Sequence, residues 1–556
     1  MTNKISLLIS ILLIVGACSE SKKKNFVPDT GNGGITLPGK FAAVVVVDTI
    51  GRGRHMAIND NGDIYFHLSR LNGDGKGIIA LRDTTGDGRA DIIRGYSDVI
   101  GTGIELHNGY LYYSDNTHIY RSKLVEGELL PAPDRETIVT MVEGGGHTAR
   151  PFTFDNKGGL YVNIGSLSNC CETELRSRSA GDDPCVELET RAGIWKFDDD
   201  TVGQVQDLDH RYATGIRNAV ALTWSVNMGR LYAAQHGRDD LHRYWPEFYT
   251  EEQNLELPSE IFFDLEEGDD MGWPYVYYDH LQGKKITTPE FGGDGKKGDR
   301  ATNAKDPLLG FPGHWAPNDV LIYEGNQFPA RYKHGAFIAF HGSWNRLGHE
   351  QQGYKVVFVP MRDGKPSGDW EVFADGFLGP EPITNPGDAF FRPVGLAEGP
   401  DGSLYISDSQ HGRIWRIMYF DEGITEYADN SLFQPEPKEK ANAVPEEMIA
   451  GKEVYDTYCV QCHMANGKGA PGMNPPLDGI DMVTGDKVAL TKIILEGYSE
   501  PTTINGELYS NVMPSHAFLT DQQIADVLSF IRKSWGNSAD GVLPEEVANV
   551  RSSVKP

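Results

Sequence analysis

Basic residues are in short supply. Lysine and arginine number 51 against 79 aspartates and glutamates, a formal net charge of -28 over 556 residues. A nucleic-acid-binding surface needs concentrated positive charge to meet phosphates, and no basic patch is visible, so nucleic acid is excluded as a partner. The acidic balance instead favours solubility and a polar, neutral substrate. Long apolar runs are missing too: the stretch Leu7 to Val15 is too short to span a bilayer. Cysteine is scarce, six in the whole chain, which makes the placement of each one informative. The length implies roughly two to four domains.

The first cysteine closes a targeting segment. Lys4 supplies a charged start, Leu7 to Val15 an apolar core, and Val15-Gly16-Ala17-Cys18 a small-residue cleavage site. It resembles a bacterial lipobox, which implies an exported chain on the periplasmic side, anchored to the membrane through a lipidated Cys18. Residues 1–18 are then a lipoprotein signal peptide and 19–38 a flexible tether rich in Lys and Gly.

The last two cysteines lie in Cys459-Val460-Gln461-Cys462-His463. CxxCH is the pattern for covalent haem attachment, the thiols bonding the haem vinyls and the His binding iron. Downstream stand Met513-Pro514 and a helix signature: Thr520 with Gln523 forms a capping box, and Ile524, Val527, Leu528 and Ile531 make one apolar stripe. Together these resemble a class I cytochrome c domain, which implies haem c with His463 and Met513 as axial ligands. A soft thioether opposite imidazole raises the reduction potential, as an electron acceptor requires. The remaining cysteines, Cys170, Cys171 and Cys185, predict one disulfide from Cys185 to Cys170 or Cys171, stapling a loop.

Between about 40 and 420 a two-strand theme recurs, with a Gly-, Asp- or Asn-rich turn between the strands. Copies run from His55 to Phe66, Gly103 to Tyr113, Phe152 to Val162, Val220 to Ala233 and Val394 to Ile406, and a poorer one ends at His341. All-strand units of this length predict a six-bladed β-propeller, the alternative being tandem β-sandwiches. The expected organisation is an all-β propeller over 39–423, a Pro- and charge-rich linker over 424–446, an all-α cytochrome c domain over 447–538 and a tail over 539–556. Residues 168–190 and 244–315 are expected as large loops.

Six segments in order carry a second resemblance. They are Gly146-His147 with Leu160 to Gly165; Gly215-Ile216-Arg217-Asn218; Gln235 to Leu241; Met271 to Tyr275; Gly342 to Arg346; and Arg392 to Leu396. The region is similar to the pyrroloquinoline quinone (PQQ) dependent glucose/sorbosone dehydrogenase family, including the pyranose dehydrogenases. The resemblance implies that His147 is the general base, that Arg217 polarises the quinone with Asn218 beside it, and that Arg346, Arg392 and Lys355 clamp PQQ carboxylates. It also implies a calcium ion shared with PQQ on the Gly237 and Arg238 carbonyls, with Asp239 and Asp240 in support. Soluble glucose dehydrogenase has an Asp near the catalytic His, where this chain has Ser166. Separately, the loop Asp83 to Asp91, with carboxylates at Asp83, Asp87 and Asp91, places oxygen side chains at alternating positions like an EF-type calcium site, but Arg94 replaces the closing Glu, so a plain Asp/Gly turn competes.

The combined expectation is a PQQ, calcium and haem c oxidoreductase acting on a sugar, sugar aldehyde or related alcohol, and delivering electrons to a downstream cytochrome or respiratory component. The competing readings are a calcium-dependent propeller lactonase and a carbohydrate-binding module joined to a cytochrome.

Overall fold

The structure, a computed structural model, describes residues 26–144, 146–346, 348–436, 445–464, 466–469 and 474–554. Cys18 with its targeting segment lies outside the described residues, as does Pro437 of the linker. Six sheets form the propeller, five of them four-stranded and antiparallel; the blade ending in Glu136–Thr140 gains a fifth strand, Gln204–Val205, paired in parallel. Each repeat seen in the sequence supplies strands near the axis of one blade, for example Gly53–Ile58 with Ile64–Leu68 and Pro393–Glu398 with Leu404–Asp408.

The ring closes by joining the two ends of the domain. Phe41–Val47 completes the last blade by pairing antiparallel with Ile414–Tyr419, Phe41 opposite Tyr419. Every residue of Phe41–Val47 is buried, because a blade strand is covered on both faces by neighbouring blades. A run of Ala and Val is therefore tolerated where a two-faced sheet would demand alternation. Arg413, itself fully buried, locks this seam: its guanidinium donates to the Asp48 carboxylate at 2.6 and 3.1 Å and to the Gly33 carbonyl at 2.7 Å.

Two expectations about loops change. Residues 168–190 do form a long loop, stapled by a Cys171–Cys185 disulfide that leaves Cys170 free and buried. The stretch 244–315, however, contains two strands of the fourth blade, Glu260–Leu265 and Leu309–Phe311, with short helices and a hairpin between blade strands. Their spacing, broken by insertions, hid them from periodicity.

The C-terminal domain packs Ile449–Tyr458 against Asp521–Lys533. Thr520 caps the second helix with Gln523 in a capping box, and Ile524, Val527, Leu528 and Ile531 are at most 3% exposed. A small hairpin, Thr502–Ile504 with Glu507–Tyr509, adds strand to a domain expected to be wholly helical. The expected tail also proves structural. It carries the helix Pro544–Ser553, whose Val547 and Val550 enter the core of the C-terminal domain. Among the described residues no helix is long and apolar enough to cross a membrane.

Candidate active site

In an antiparallel blade, the loops between second and third strands and the connections from one blade to the next emerge on the same face. This geometry gathers residues distant in sequence at one mouth. His147 sits between Glu136–Thr140 of one blade and Phe152–Phe154 of the next; Arg217 and Asn218 occupy the following connection, after Arg211–Thr214. Ser166 follows Gly159–Ile164, Asp239 follows Arg230–Gln235, and Asn345 lies in the 3-10 turn Trp344–Arg346.

His147 is oriented by Ser166. Its Nδ1–H donates to the Ser166 carbonyl at 2.9 Å, with the Ser166 hydroxyl at 3.0 Å. That hydroxyl spends its own hydrogen on the Ser168 carbonyl at 2.7 Å, so it faces His147 as an acceptor. Nδ1 therefore carries the proton and Nε2 keeps its lone pair. Burial, and then the Arg217 guanidinium, hold the imidazole well below its usual pKa, so it is neutral near pH 7. Close approach requires Gly165: a Cβ there would lie 2.6 Å from the His147 Cβ.

Arg217 is buried and almost fully engaged. It donates to the Asn169 carbonyl at 3.0 Å, the Asn169 Oδ1 at 3.0 Å, the Gly237 carbonyl at 2.7 Å and Asp239 Oδ2 at 3.1 Å. Burial alone would push Asp239 upward, but Arg217 and Arg176 outweigh it and the carboxyl titrates below its usual range. Asn345 donates to the other Asp239 oxygen. Asn169, unremarked in the sequence, is the hub, and it immediately precedes Cys170 and the Cys171–Cys185 staple. A neighbouring staple was its only advance signal.

Two amide oxygens at the mouth, Asn218 Oδ1 and Asn345 Oδ1, are buried without hydrogen-bond partners. Such orphans cost of the order of 1–3 kcal/mol each unless a ligand satisfies them. Arg392 donates to the His341 and Gly342 carbonyls at 3.1 and 2.7 Å. Beside it stands Arg54, for whose guanidinium no hydrogen bond or ion pair is found among the described residues. Burial, Arg392 and Arg52 pull Arg54 down to about 10.

The other predicted residues are used differently. Arg346 is turned into its own loops, donating to the Leu255 carbonyl at 2.5 Å and pairing with Glu256 at 3.5 Å. The Lys355 amine lies over the Trp315 ring, 5.1 Å from its centroid. Arg238 is buried in a pair with Glu290 at 2.6 Å. Trp273 and Trp315 are buried, as core aromatics are, and Trp273 donates to the Asn169 carbonyl.

Of the groups named for calcium, the Gly237 carbonyl and Asp239 are engaged by Arg217, and Asp239 also by Asn345. A guanidinium already occupies the Gly237 carbonyl, and among the described residues no three His, Cys, Asp or Glu side chains converge on a point that would hold a metal ion. In the Asp83 to Asp91 loop the carboxylates accept the loop's own amides: Asp83 from Thr85, Gly86 and Gly88, Asp91 from Thr84 and Thr85, and Asp87 from Arg89. These are the contacts of an Asp/Gly turn. As they stand, these oxygens accept from the protein's own donors.

The haem box is better prepared. Cys459, Cys462 and His463 lie at the end of the first haem-domain helix, and both thiols are unpaired. His463 Nδ1–H donates to the Pro475 carbonyl at 2.9 Å, leaving Nε2 for iron, which is how metal-ligating histidines are commonly oriented. Met513 is held through its backbone, which pairs with Tyr498 by two bonds of 2.8 Å. These residues fit a covalently bound haem.

The sequence profile of the TrAA12-like family matches residues 36–419, and that of cytochrome c matches residues 448–535. The chain belongs to the TrAA12-like family. Among solved structures, this TrAA12-like propeller resembles the PQQ domain of pyranose dehydrogenase from Coprinopsis cinerea (TM-score 0.55, 21% identity, 69% of this chain and 97% of that one). It likewise resembles a Carbohydrate-Active Enzymes Family AA12 protein of Trichoderma reesei (TM-score 0.56, 18% identity, 70% and 98%). At these identities the likeness establishes the fold. A 276-residue stretch is 27% identical to an uncharacterized protein of Borreliella burgdorferi, covering 49% of this chain and 61% of that protein. A 110-residue stretch is 39% identical to the cytochrome c subunit of a quinone alcohol dehydrogenase of Gluconobacter oxydans, covering 19% and 23%. The chain thus spans less than two thirds of either relative.

Proposed function

We propose that this TrAA12-like protein is a quinohaemoprotein oxidoreductase that oxidises a sugar, sugar aldehyde or related alcohol. The observation that carries this reading is the neutral His147 imidazole, its Nδ1–H committed to Ser166 and its Nε2 lone pair left available beside the Arg217 guanidinium. PQQ, when bound, supplies a two-electron acceptor and the covalent haem a one-electron carrier. The unpaired oxygens of Asn218 and Asn345 would accept from the N–H of the cofactor or a hydroxyl of the substrate, and Arg54 and Arg392 would hold the cofactor's carboxylates.

The chain's own part in the chemistry is proton handling and charge placement. His147 Nε2 takes the proton of the substrate hydroxyl; the Ser166 carbonyl keeps the imidazole aimed and stabilises the cation that results. Arg217, fixed by Asn169 and Asp239, presents positive charge without reorganising. No step is routed through calcium. Export with lipid anchoring at Cys18 belongs to the same proposal, and the Cys171–Cys185 disulfide supports an oxidising compartment. A downstream cytochrome or respiratory component would take the electrons.

The test is to load the full chain with PQQ, add candidate sugars, sugar aldehydes and alcohols, and follow the ferrous haem spectrum. At least one should reduce the haem, and His147→Ala should abolish that reduction while leaving PQQ bound. If none does, or if His147→Ala reduces haem as fast as the parent, the reading fails. A carbohydrate-binding module would behave in the first way.

A further inference from the structure

The rim of the propeller mouth carries positive charge, two of its arginines shared with the proposed cofactor site and two, Arg52 and Arg70, outside it. Arg52, Arg54, Arg70 and Arg392 influence one another's charge, and one carboxylate that faces this group, Glu507, comes from the haem domain. Arg70 donates to Glu507 Oε2 at 3.2 Å across 437 residues of sequence. The same oxygen accepts the Tyr509 hydroxyl at 3.3 Å. Both haem-domain residues belong to the hairpin Thr502–Ile504 and Glu507–Tyr509, the element that a purely helical domain would lack. Arg70 Nε is buried without a partner, and the carboxylates that face the cluster are Glu507 from this hairpin and Asp408 beside Arg392.

A second set of contacts orients the same domain. Arg176, Arg243 and Asp240, from loops beside the Asp239 site, lie within electrostatic reach of Cys462, and Arg243 also reaches Cys459 and His516. The face of the haem domain bearing the attachment cysteines is thereby turned toward the loops that hold Arg217. We infer that the arginine rim of the propeller is a docking surface for its own haem domain, with the 502–509 hairpin as the acidic plug and Arg70–Glu507 as the latch that seats the haem box over the mouth.

One half-exposed ion pair contributes at most about five-fold to a docking equilibrium. Its position among four guanidinium groups changes the arithmetic on reversal, because Glu507→Arg would place a fifth cation against the other four. A tethered domain docks at millimolar effective concentration, so a modest change in intrinsic affinity moves it between seated and free. Salt should act in the same direction as the reversal, since the rim is partly solvated.

The inference rests on the proposed electron route for its purpose only, and docking is read separately from chemistry. Small-angle scattering of the full-length, haem-loaded chain at low salt reports whether the domains are seated. The parent should be compact, Glu507→Arg extended, and the double variant Arg70→Glu with Glu507→Arg compact again; the rate of haem reduction after substrate addition should follow the same order, with a loss of ten-fold or more in the single variant. A Glu507→Arg chain that scatters like the parent, or a double variant as extended as the single one, overturns the latch. A compact chain whose haem no sugar, sugar aldehyde or alcohol reduces supports the docking surface and counts against the oxidoreductase reading alone.

Discussion

The Nδ1 of His147 lies 2.9 Å from the carbonyl oxygen of Ser166, a main-chain acceptor that no side-chain substitution removes. Ser166→Ala should therefore cost little, less than about ten-fold in turnover, since one neutral hydrogen bond is worth about 1 kcal/mol. Ser166→Asp should act on pH instead. His147 works as a base only when neutral, and its folded pKa is depressed, first by burial and then by Arg217. Activity is then present above that pKa and lost as pH falls through it, so the parent should stay active well below pH 6.5. A carboxylate beside Nδ1 would stabilise the imidazolium and raise the acid limb. The pH profile of haem reduction checks this; an unmoved limb in Ser166→Asp would remove His147 from the titrating step.

Gly165 tests the same base from the other side. Gly165→Ala forces a Cβ to 2.6 Å from that of His147 and 3.1 Å from Asn218 Oδ1. Overpacking of this kind typically costs 1–3 kcal/mol and is relieved by moving the softer partner, here a loop residue. The expected result is a loss of turnover of about ten-fold or more with a small change in melting temperature. Steady-state kinetics beside thermal unfolding separate the two; equal losses in both would mean the glycine serves the fold alone.

Arg54 and Arg346 should part company. Arg54, unpaired and next to Arg392, is placed to meet an anionic cofactor, whereas Arg346 already holds the Leu255 carbonyl and Glu256. Arg54→Ala should weaken PQQ binding by roughly ten- to a hundred-fold, the value of a charged hydrogen bond, without lowering the melting temperature. Arg346→Ala should do the reverse. Titration of the metal-free, PQQ-free chain with PQQ, and melting curves of each variant, decide it.

How far the sequence disclosed these arrangements depends on distance along the chain. The inner strand pairs were legible because local turns such as Asn61-Gly62 and Asp401-Gly402 bracket them. Outer strands were not: Ile92–Tyr96 is largely exposed on its middle residues, and Leu309–Phe311 follows a long insertion. His147 and Arg217 stood out as members of ordered motifs. Arg54 did not, because a lone arginine opening a strand looks like any surface residue until ring closure brings Arg392 beside it. Asn169 was hidden for the same reason: its five contacts reach Arg217, Asp239 and Trp273 through space. The calcium expectation rested on main-chain carbonyls, and sequence cannot show that an arginine already occupies one.

The C-terminal helix supplies the last expectation. Arg551 donates to Asp521 Oδ1 and to the carbonyls of Ala517 and Leu519, each at 2.7 Å. Those carbonyls belong to the loop that runs from Met513 to the helix Asp521–Lys533, so a residue beyond the expected domain boundary pins the segment carrying the proposed iron ligand. Val547 and Val550 anchor the helix, and burying each contributes roughly 1.5–3 kcal/mol. Ending the chain before Pro544 should thus lower the melting temperature of the haem domain while leaving the propeller transition in place. Arg551→Ala isolates the pinning from the burial, because the apolar anchors remain. With the loop slack, Met513 should be held less well, and loss of the soft thioether should lower the haem potential. A redox titration of Arg551→Ala that matches the parent, with the truncated chain still destabilised, would confine the helix to packing.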